Sequence, residues 1–265
     1  MEHYPVDQDL VLRNVQYGAH KLQSIDIYLP ANRSIDRTKM IVYVHGGNWS
    51  AGDKDDIGLD ENSVKLLQEY FPDFAFFNLN HRLAGDSSEI AIHAKDAEMD
   101  IAKAMRFIYQ QANIYQISTD TYMAGLESGA QLASMYALQN TAASSSVKGT
   151  LIFSGALDLL TIHHAADEAT RQALQTYIGD SAEEHISSYK IASPIEHISA
   201  SSPPFLIIHD TNNMNFPVSQ AEAFAKKLNT YNIDYEFIQY SSIKDSIPAH
   251  DMENTFNKIK IFLLR

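Results

Sequence analysis

The stretch of sequence that decides the fold is Tyr122-Met123-Ala124-Gly125-Leu126-Glu127-Ser128-Gly129-Ala130-Gln131-Leu132-Ala133. Its first part is apolar, and its second part is rich in small helix-forming residues. Two glycines, Gly125 and Gly129, flank the junction between the two parts. The pattern predicts a short strand, a sharp turn and the start of a helix.

A glutamate stands midway between the two glycines. The spacing is that of a Gly-x-Ser-x-Gly turn, in which a nucleophilic serine sits on a strained strand-to-helix junction. Here Glu127 occupies the serine position, whereas Ser128 lies one place too late because Leu126 and Ala130 flank it. The sequence therefore predicts the scaffold of a serine hydrolase with a carboxylate in place of the hydroxyl. The plainer alternative is an acidic residue that merely favours a helix N-terminus.

Composition limits the possible partners. The chain has 265 residues, 45% of them hydrophobic, which suits a single α/β domain over residues 1–265. A net charge of −13 disfavours nucleic acid and anionic membranes, so we expect a small-molecule ligand or substrate. The oligomeric state stays open.

No cysteine is present, which excludes disulfides, thiolate metal sites and a cysteine nucleophile. No signal peptide is visible at the N-terminus, so we expect a cytoplasmic protein.

Apolar runs alternate with helical patterns along the chain. Strands are predicted at Val11–Gln16, Ser24–Leu29, Met40–His45, Phe74–Asn80, Leu151–Phe153, Phe205–His209 and Tyr235–Gln239. Helices are predicted at Glu61–Phe71, His93–Ala112, Ser128–Asn140, Ser219–Tyr231 and Asp251–Leu264. This order predicts an α/β fold: a mostly parallel central sheet flanked by helices, with an antiparallel edge from the opening hairpin. Residues 159–191 interrupt the rhythm, with helical fragments at Glu168–Ile178 and Glu183–Tyr189, and are expected to form a small cap.

Three further motifs accompany the turn. The segment His45-Gly46-Gly47-Asn48-Trp49 follows the third strand, and its glycines allow backbone N–H groups to face a developing oxyanion. Asn80-His81-Arg82-Leu83 follows the next strand. His250 comes after the last strand, where a general base would stand.

Taken together, these motifs resemble α/β-hydrolases of the carboxylesterase and lipase type, including bacterial esterases and kynurenine-formamidase-like enzymes. The resemblance runs almost end to end. It extends to the entry strand Ile25-Asp26-Ile27-Tyr28-Leu29-Pro30 and to Ser202-Pro203-Pro204-Phe205-Leu206-Ile207-Ile208-His209. It implies a catalytic triad in the chain order nucleophile, acid, histidine, and an oxyanion hole formed by Gly46, Gly47 and the backbone N–H of Ser128.

The departures from the family pattern concern the triad. The resemblance places Glu127 at the nucleophile position, Asn213 at the acid position and His250 at the base position. Asp210, in the same loop as Asn213, is an alternative acid. Asp158 is another, although it reads more simply as a turn or helix-cap residue. Two of the three triad positions therefore carry residues that do not fit the usual chemistry.

Several other residues have simpler interpretations. Trp49 is expected to pack within its loop, and the acidic segment 53–56 is expected to be a solvated loop. The pair His163-His164 with Asp167 lacks the spacing of a metal site, because adjacent histidines point in different directions on a helix. We expect neither a metal nor another cofactor.

Two hypotheses on function follow from this reading. In the first, a former esterase has lost ordinary ester hydrolysis and binds a small polar ligand or a partner. In the second, an active hydrolase or lyase uses Glu127 as base or nucleophile together with His250. In both cases Glu127 and His250 are expected to form a charged contact, because opposite charges favour both ionised forms.

Overall fold

The computed structural model of the protein describes residues 4–58, 61–85, 91–141, 147–182, 184–241 and 249–265, without the side chains of residues 61, 62, 249 and 250. In these ranges an eight-stranded sheet has the order β1-β2-β4-β3-β5-β6-β7-β8. The strands are β1 Leu10–Gln16, β2 Ser24–Leu29, β3 Lys39–Val44, β4 Phe74–Leu79, β5 Thr121–Leu126, β6 Val147–Phe153, β7 Phe205–Asp210 and β8 Tyr235–Tyr240.

The predicted fold class is confirmed. Strand β1 pairs with β2, and β2 with β4, in antiparallel fashion, whereas every pairing from β4 through β8 is parallel. The helices are α1 Glu61–Tyr70, α2 Ala94–Tyr115, α3 Ser128–Gln139, α4 Leu159–Ala165, α5 Glu168–Ile178, α6 Ile186–Ile191, α7 Val218–Thr230 and α8 Ala249–Leu263. In the described residues, no helix has the length and apolar character needed to cross a bilayer.

Helices cover both faces of the sheet. On one face, α2, α3 and α7 pack against alternate residues such as Met123 and Ile152. On the other, α1 and α8 pack against their neighbours in the strands, such as Tyr122 and Leu151. Side chains alternate between the faces along each strand, so both sets are apolar and the strands read as nearly continuous hydrophobic runs. Helices α4 to α6 fall within residues 159–191, the segment predicted as a cap.

A buried ion pair lies where the sequence suggested a solvated loop, so that expectation is wrong for Lys54. Its ammonium group is 3.3 Å from the fully buried carboxylate of Asp26 on β2, which Arg13 also contacts at 2.8 Å. The Lys54 backbone N–H donates to Asn80 Oδ1 at 2.6 Å, and its carbonyl accepts from Asn78 Nδ2 at 2.6 Å. These contacts tie the chain that follows the loop after β3 to the neighbouring strands.

Removal of the Asp26 carboxylate should be strongly destabilising. We expect Asp26→Ala to lower the free energy of unfolding by about 3–5 kcal/mol, because it removes the buried partner of the Lys54 ammonium and leaves it only the exposed carboxylate of Asp55 at 2.8 Å. The matched control is Asp73→Ala, which removes an exposed pair with Arg37 (N to O 2.9 Å) and should cost at most about 1 kcal/mol. Urea denaturation of both variants measures the difference. Equal losses would show that the buried pair has no special role.

Candidate active site

Glu127 lies at the turn between β5 and α3, as the sequence predicts. Its backbone has φ 51° and ψ −113°, a conformation that costs a non-glycine residue on the order of 1–3 kcal/mol. Three hydrogen bonds hold it there. The Glu127 N–H donates to Phe153 O at 2.9 Å, and the Glu127 carbonyl accepts from the N–H groups of Ala156 (3.1 Å) and Gln131 (3.3 Å). Strand β6 and helix α3 thus fix the strained turn from both sides.

The two glycines allow the helix to approach the sheet closely. A Cβ atom on Gly129 would lie 2.1 Å from the His45 carbonyl oxygen and 2.3 Å from that of Val44. A Cβ atom on Gly125 would lie 2.5 Å from the carbonyl carbon of Gly129. A side chain at Gly129 would therefore push the start of α3 away from the carboxyl end of β3, and a side chain at Gly125 would push it away from β5. The glycine spacing that predicts the turn has this direct steric cause.

The Glu127 carboxylate lies against the loop that follows β3. A Cβ atom built on Gly46 would be 3.2 Å from Glu127 Oε2. In the same loop Gly47, Asn48 and Trp49 have φ values of 113°, 50° and 61°, so three successive residues adopt left-handed backbone conformations. The predicted oxyanion loop and Glu127, the residue predicted at the nucleophile position, are thus brought together.

Trp49 serves packing, as predicted. It is 1% exposed, and its ring stacks on Tyr177 of α5 with centroids 5.1 Å apart. Its indole N–H donates to Gln131 Oε1 at 3.1 Å, and the Tyr177 hydroxyl donates to the same oxygen at 3.0 Å. The Gln131 amide nitrogen in turn donates to the carbonyl of Ala192 at 2.9 Å. One buried glutamine of α3 therefore joins the loop after β3 to the segment predicted as a cap.

Two stacked histidines lie beneath this loop, a feature that the sequence reading missed. The rings of His45 and His81 are 4.8 Å apart at an interplanar angle of 8°. Burial, together with the neighbouring imidazole, lowers the pKa of His81 to about 3, and burial lowers the pKa of His45. Both rings are therefore uncharged at neutral pH. The available signal was that each histidine lies within two residues of the carboxyl end of one of two neighbouring parallel strands, β3 and β4.

Asn213 contacts Glu127 directly. Its Nδ2 donates to Glu127 Oε1 at 3.3 Å. Its Oδ1 accepts from the backbone N–H groups of Phe216 at 2.9 Å and Asn215 at 3.2 Å. Because the oxygen faces two donors, the amide nitrogen must face the carboxylate. An aspartate here could keep the two backbone bonds but would present a second acceptor to Glu127.

The surroundings make the Glu127 carboxyl easier to protonate. Burial raises its pKa, and the hydrogen bond from Asn213 only partly offsets this effect. The charge of Glu127 in turn affects the pKa values of two neighbouring tyrosines. The pKa values of Tyr43 and Tyr240 are raised mainly by burial, and the charge of Glu127 contributes to both increases. These two phenols are therefore neutral at physiological pH.

The alternative acids have other partners. Asp158 caps α4: its Oδ1 accepts from the Thr161 N–H at 3.2 Å and its Oδ2 from the Thr161 hydroxyl at 2.7 Å. This confirms the helix-cap interpretation. Asp210 ends β7, and its Oδ1 accepts from the Asn212 N–H at 2.9 Å. Neither contact involves the strand-to-helix turn.

The other predicted site residues are placed only in part. His250 lies in the first turn of α8, but its side chain is outside the described part of the chain, so its role as base remains a prediction. Ser128 is the first residue of α3 and is buried, and its role in an oxyanion hole also remains a prediction.

Within the described ranges, no cluster of three or more His, Asp or Glu side chains could hold a metal ion. His163 is in ring contact with Tyr189, with centroids 5.4 Å apart.

Comparison with known proteins points to one family. The family model described as BD-FAE matches residues 25–228, well over half of the chain. A kynurenine formamidase of Danio rerio is 25% identical over 186 residues, which cover 69% of this chain and 59% of the relative. A probable carboxylic ester hydrolase, LipM of Mycobacterium tuberculosis, is 22% identical over 230 residues, which cover 81% of this chain and 51% of the relative. The chain thus spans little more than half the length of these curated relatives.

Solved structures agree on the fold. A truncated carbohydrate esterase from gut microbiota superimposes with a TM-score of 0.74 at 19% identity, covering 98% of this chain and 100% of that one. Esterase B from Lactobacillus rhamnosis, in an inhibited form, superimposes with a TM-score of 0.75 at 16% identity, covering 98% of this chain and 88% of the other. At such low identity, these likenesses establish the architecture alone.

Conversion of Asn213 to aspartate tests the contact with Glu127. The variant keeps the acceptor for the two backbone N–H groups but places a carboxylate beside Glu127. We expect a loss of about 1–3 kcal/mol in the free energy of unfolding at neutral pH, because a donor to a charged group is lost and a like charge is gained. Like charges raise both pKa values in the folded state, so the loss should disappear below the unfolded-state value of about 4.

The control is the double variant Asn213→Asp with Glu127→Gln, in which the glutamine amide can donate to the new carboxylate. It should recover most of the stability at neutral pH. Denaturant titrations between pH 3 and pH 7 measure both effects. A loss that does not depend on pH, or that persists in the double variant, would show that the two side chains do not interact.

Proposed function

The chain belongs to the BD-FAE family, and from this premise we propose an esterase-like protein that has lost ordinary ester hydrolysis and binds a small polar ligand beside Glu127. The activities named for its relatives, ester and formamide hydrolysis, are those expected of an intact triad. Here the nucleophile and acid positions both differ from that pattern. In this proposal the protein retains the pocket of the family but does not carry out ester hydrolysis in it.

The hydrogen bond between Asn213 and Glu127 carries this proposal. An esterase needs a hydroxyl that can attack after losing its proton to histidine, and a carboxylate that stabilises the imidazolium. Glu127 has no such hydroxyl, and Asn213 has no charge. The two substitutions also complement each other, because an amide donor meets a carboxylate acceptor at 3.3 Å. Reversal of either one alone would break this match, which favours a site adapted to its present pair.

The ligand is inferred from the groups that meet at the turn. Glu127 supplies a carboxylate beside Gly46, and we propose that the predicted oxyanion loop at Gly46 and Gly47 supplies backbone N–H groups. We propose that His250 completes the site through a charged contact with Glu127. Such a set suits a polar or zwitterionic ligand better than a plain acyl chain.

The proposed contact between His250 and Glu127 can be tested by titration. If it exists, the pKa of His250 falls in the Glu127→Gln variant, as an NMR titration would measure. An unchanged pKa would refute the contact.

A second candidate function is supported by the raised pKa of Glu127. A carboxyl whose pKa moves toward neutrality is a better general base than an ordinary glutamate. Glu127 could then abstract a proton, or attack an electrophile such as an epoxide, with His250 as its partner. Glutamate is a methylene longer than the aspartate used for such attacks, and a misplacement of about 1 Å can cost roughly 100-fold in rate. A panel of esters, amides, epoxides and lactones, assayed with wild type and Glu127→Ala, separates the two candidates.

The first expected result is negligible turnover of short-chain aryl esters by the wild type. Glu127→Ser alone should recover little, because Asn213 cannot orient the histidine. Glu127→Ser with Asn213→Asp should be more active, by up to about 10⁴-fold, the effect of an orienting carboxylate in serine proteases. Initial rates with an activated aryl ester give the comparison.

Two outcomes would contradict this account. Robust wild-type turnover that survives Glu127→Ala would show that another residue performs the reaction. Equal activity of the single and double variants would show that a different carboxylate already orients the histidine. Adding Asp210→Asn or Asp158→Asn to Glu127→Ser would then identify that carboxylate.

A further inference from the structure

A buried histidine near the end of β7 contacts the loop that carries Asn213. His209 is fully buried, and its Nε2 atom lies 2.8 Å from the carbonyl oxygen of Phe216. Because a carbonyl oxygen can only accept a hydrogen bond, this nitrogen carries a proton and donates it. We propose that His209 is a positioning residue, which holds Asn213 within reach of Glu127 through the backbone of Phe216. The inference rests on the function proposed above, because it concerns the same pair of side chains.

Phe216 joins the histidine to the candidate site. Its carbonyl accepts from His209, and its N–H donates to Asn213 Oδ1 at 2.9 Å. The two bonds lie at opposite ends of one residue, so the histidine ring restrains the donor that orients the Asn213 amide. Since the amide oxygen faces this donor, the amide nitrogen faces Glu127 Oε1, 3.3 Å away. A continuous set of hydrogen bonds therefore runs from His209 to the Glu127 carboxylate.

The loop between β7 and α7 combines an exposed tip with a buried anchor. Met214 is 82% exposed, whereas Phe216 is 1% exposed. The Phe216 ring packs edge-on against Trp49 of the predicted oxyanion loop, with ring centroids 6.1 Å apart. The residue that His209 holds thus contacts both Asn213 and the loop that faces Glu127. A shift of this anchor would change the position of the Asn213 amide.

The protonation state of His209 suits this role. Burial lowers its pKa, so the ring is uncharged at neutral pH and carries its single proton on Nε2. The other nitrogen, Nδ1, is buried and has no hydrogen-bond partner among the described residues. A buried acceptor without a partner is destabilising. An apolar side chain would fill the space without that cost, which favours a role for the Nε2 donor over packing alone.

Two substitutions of equal length separate the donor from the packing. His209→Gln keeps an N–H donor at the end of an unbranched side chain, whereas His209→Met keeps the length and removes the donor. The readout is the pKa of Glu127, followed by ¹³C NMR of its carboxyl carbon, because the hydrogen bond from Asn213 lowers that pKa in the wild type. We expect His209→Met to raise it toward the value in Asn213→Ala, and His209→Gln to leave it near the wild-type value. Adding His209→Met to Asn213→Ala should cause no further rise.

Each other outcome overturns the inference. A side chain that only fills space would alter the free energy of unfolding in both variants without moving the pKa of Glu127. Equal rises in His209→Gln and His209→Met would show that the donor is irrelevant. An unchanged pKa in Asn213→Ala would refute the pair, and the proposed function with it, whereas a rise in Asn213→Ala but none in His209→Met refutes the role of His209 alone. If His209→Met does not fold, ¹⁵N NMR of the wild-type ring decides: the proton is expected on Nε2, and a proton on Nδ1 would refute the proposal.

Discussion

The hydrogen bond from the Asn213 amide to the Glu127 carboxylate joins the two residues at which we propose that this chain departs from a serine esterase. It forms because three parallel strands, β3, β5 and β7, bring the loops at their carboxyl ends to one edge of the sheet. The strained turn at Glu127 points its side chain toward this edge, and Gly46 leaves room for the carboxylate. The Glu127 side chain reaches Asn213, the residue predicted at the acid position, whereas in a serine triad a histidine stands between the nucleophile and the acid.

The loop beside Glu127 is held in place by contacts elsewhere in the fold. Buried networks around the turn place the predicted oxyanion loop: Lys54 and Asp26 hold its far end, and Gln131 holds Trp49. None of these supporting contacts involves the Glu127 side chain. The proposed loss of the nucleophile would therefore leave these contacts in place, and the same scaffold could serve binding or a different reaction.

Much of the fold was predictable because its signals are local or periodic. The predicted strand Ser24–Leu29 coincides with β2, and Glu168–Ile178 coincides with α5. The turn at Glu127 was predictable because glycine spacing reflects close backbone contacts. The interaction with Asn213 was not, since it depends on the reach and orientation of two side chains far apart in sequence. The burial of Lys54 was missed for a similar reason. Its buried partner, Asp26, lies on β2, two strands away in the sheet from β3, which precedes Lys54 in the chain.

The central claim is that Glu127 and Asn213 act as a coupled pair, and a double-mutant cycle tests it most directly. The free energies of unfolding of wild type, Glu127→Ala, Asn213→Ala and the double variant yield the coupling energy at pH 7. The account predicts a stabilising coupling of about 1 kcal/mol or more, as expected of a hydrogen bond to a charged acceptor. It also predicts a smaller coupling at acid pH, where Glu127 is protonated. Additivity within about 0.5 kcal/mol at neutral pH would contradict it.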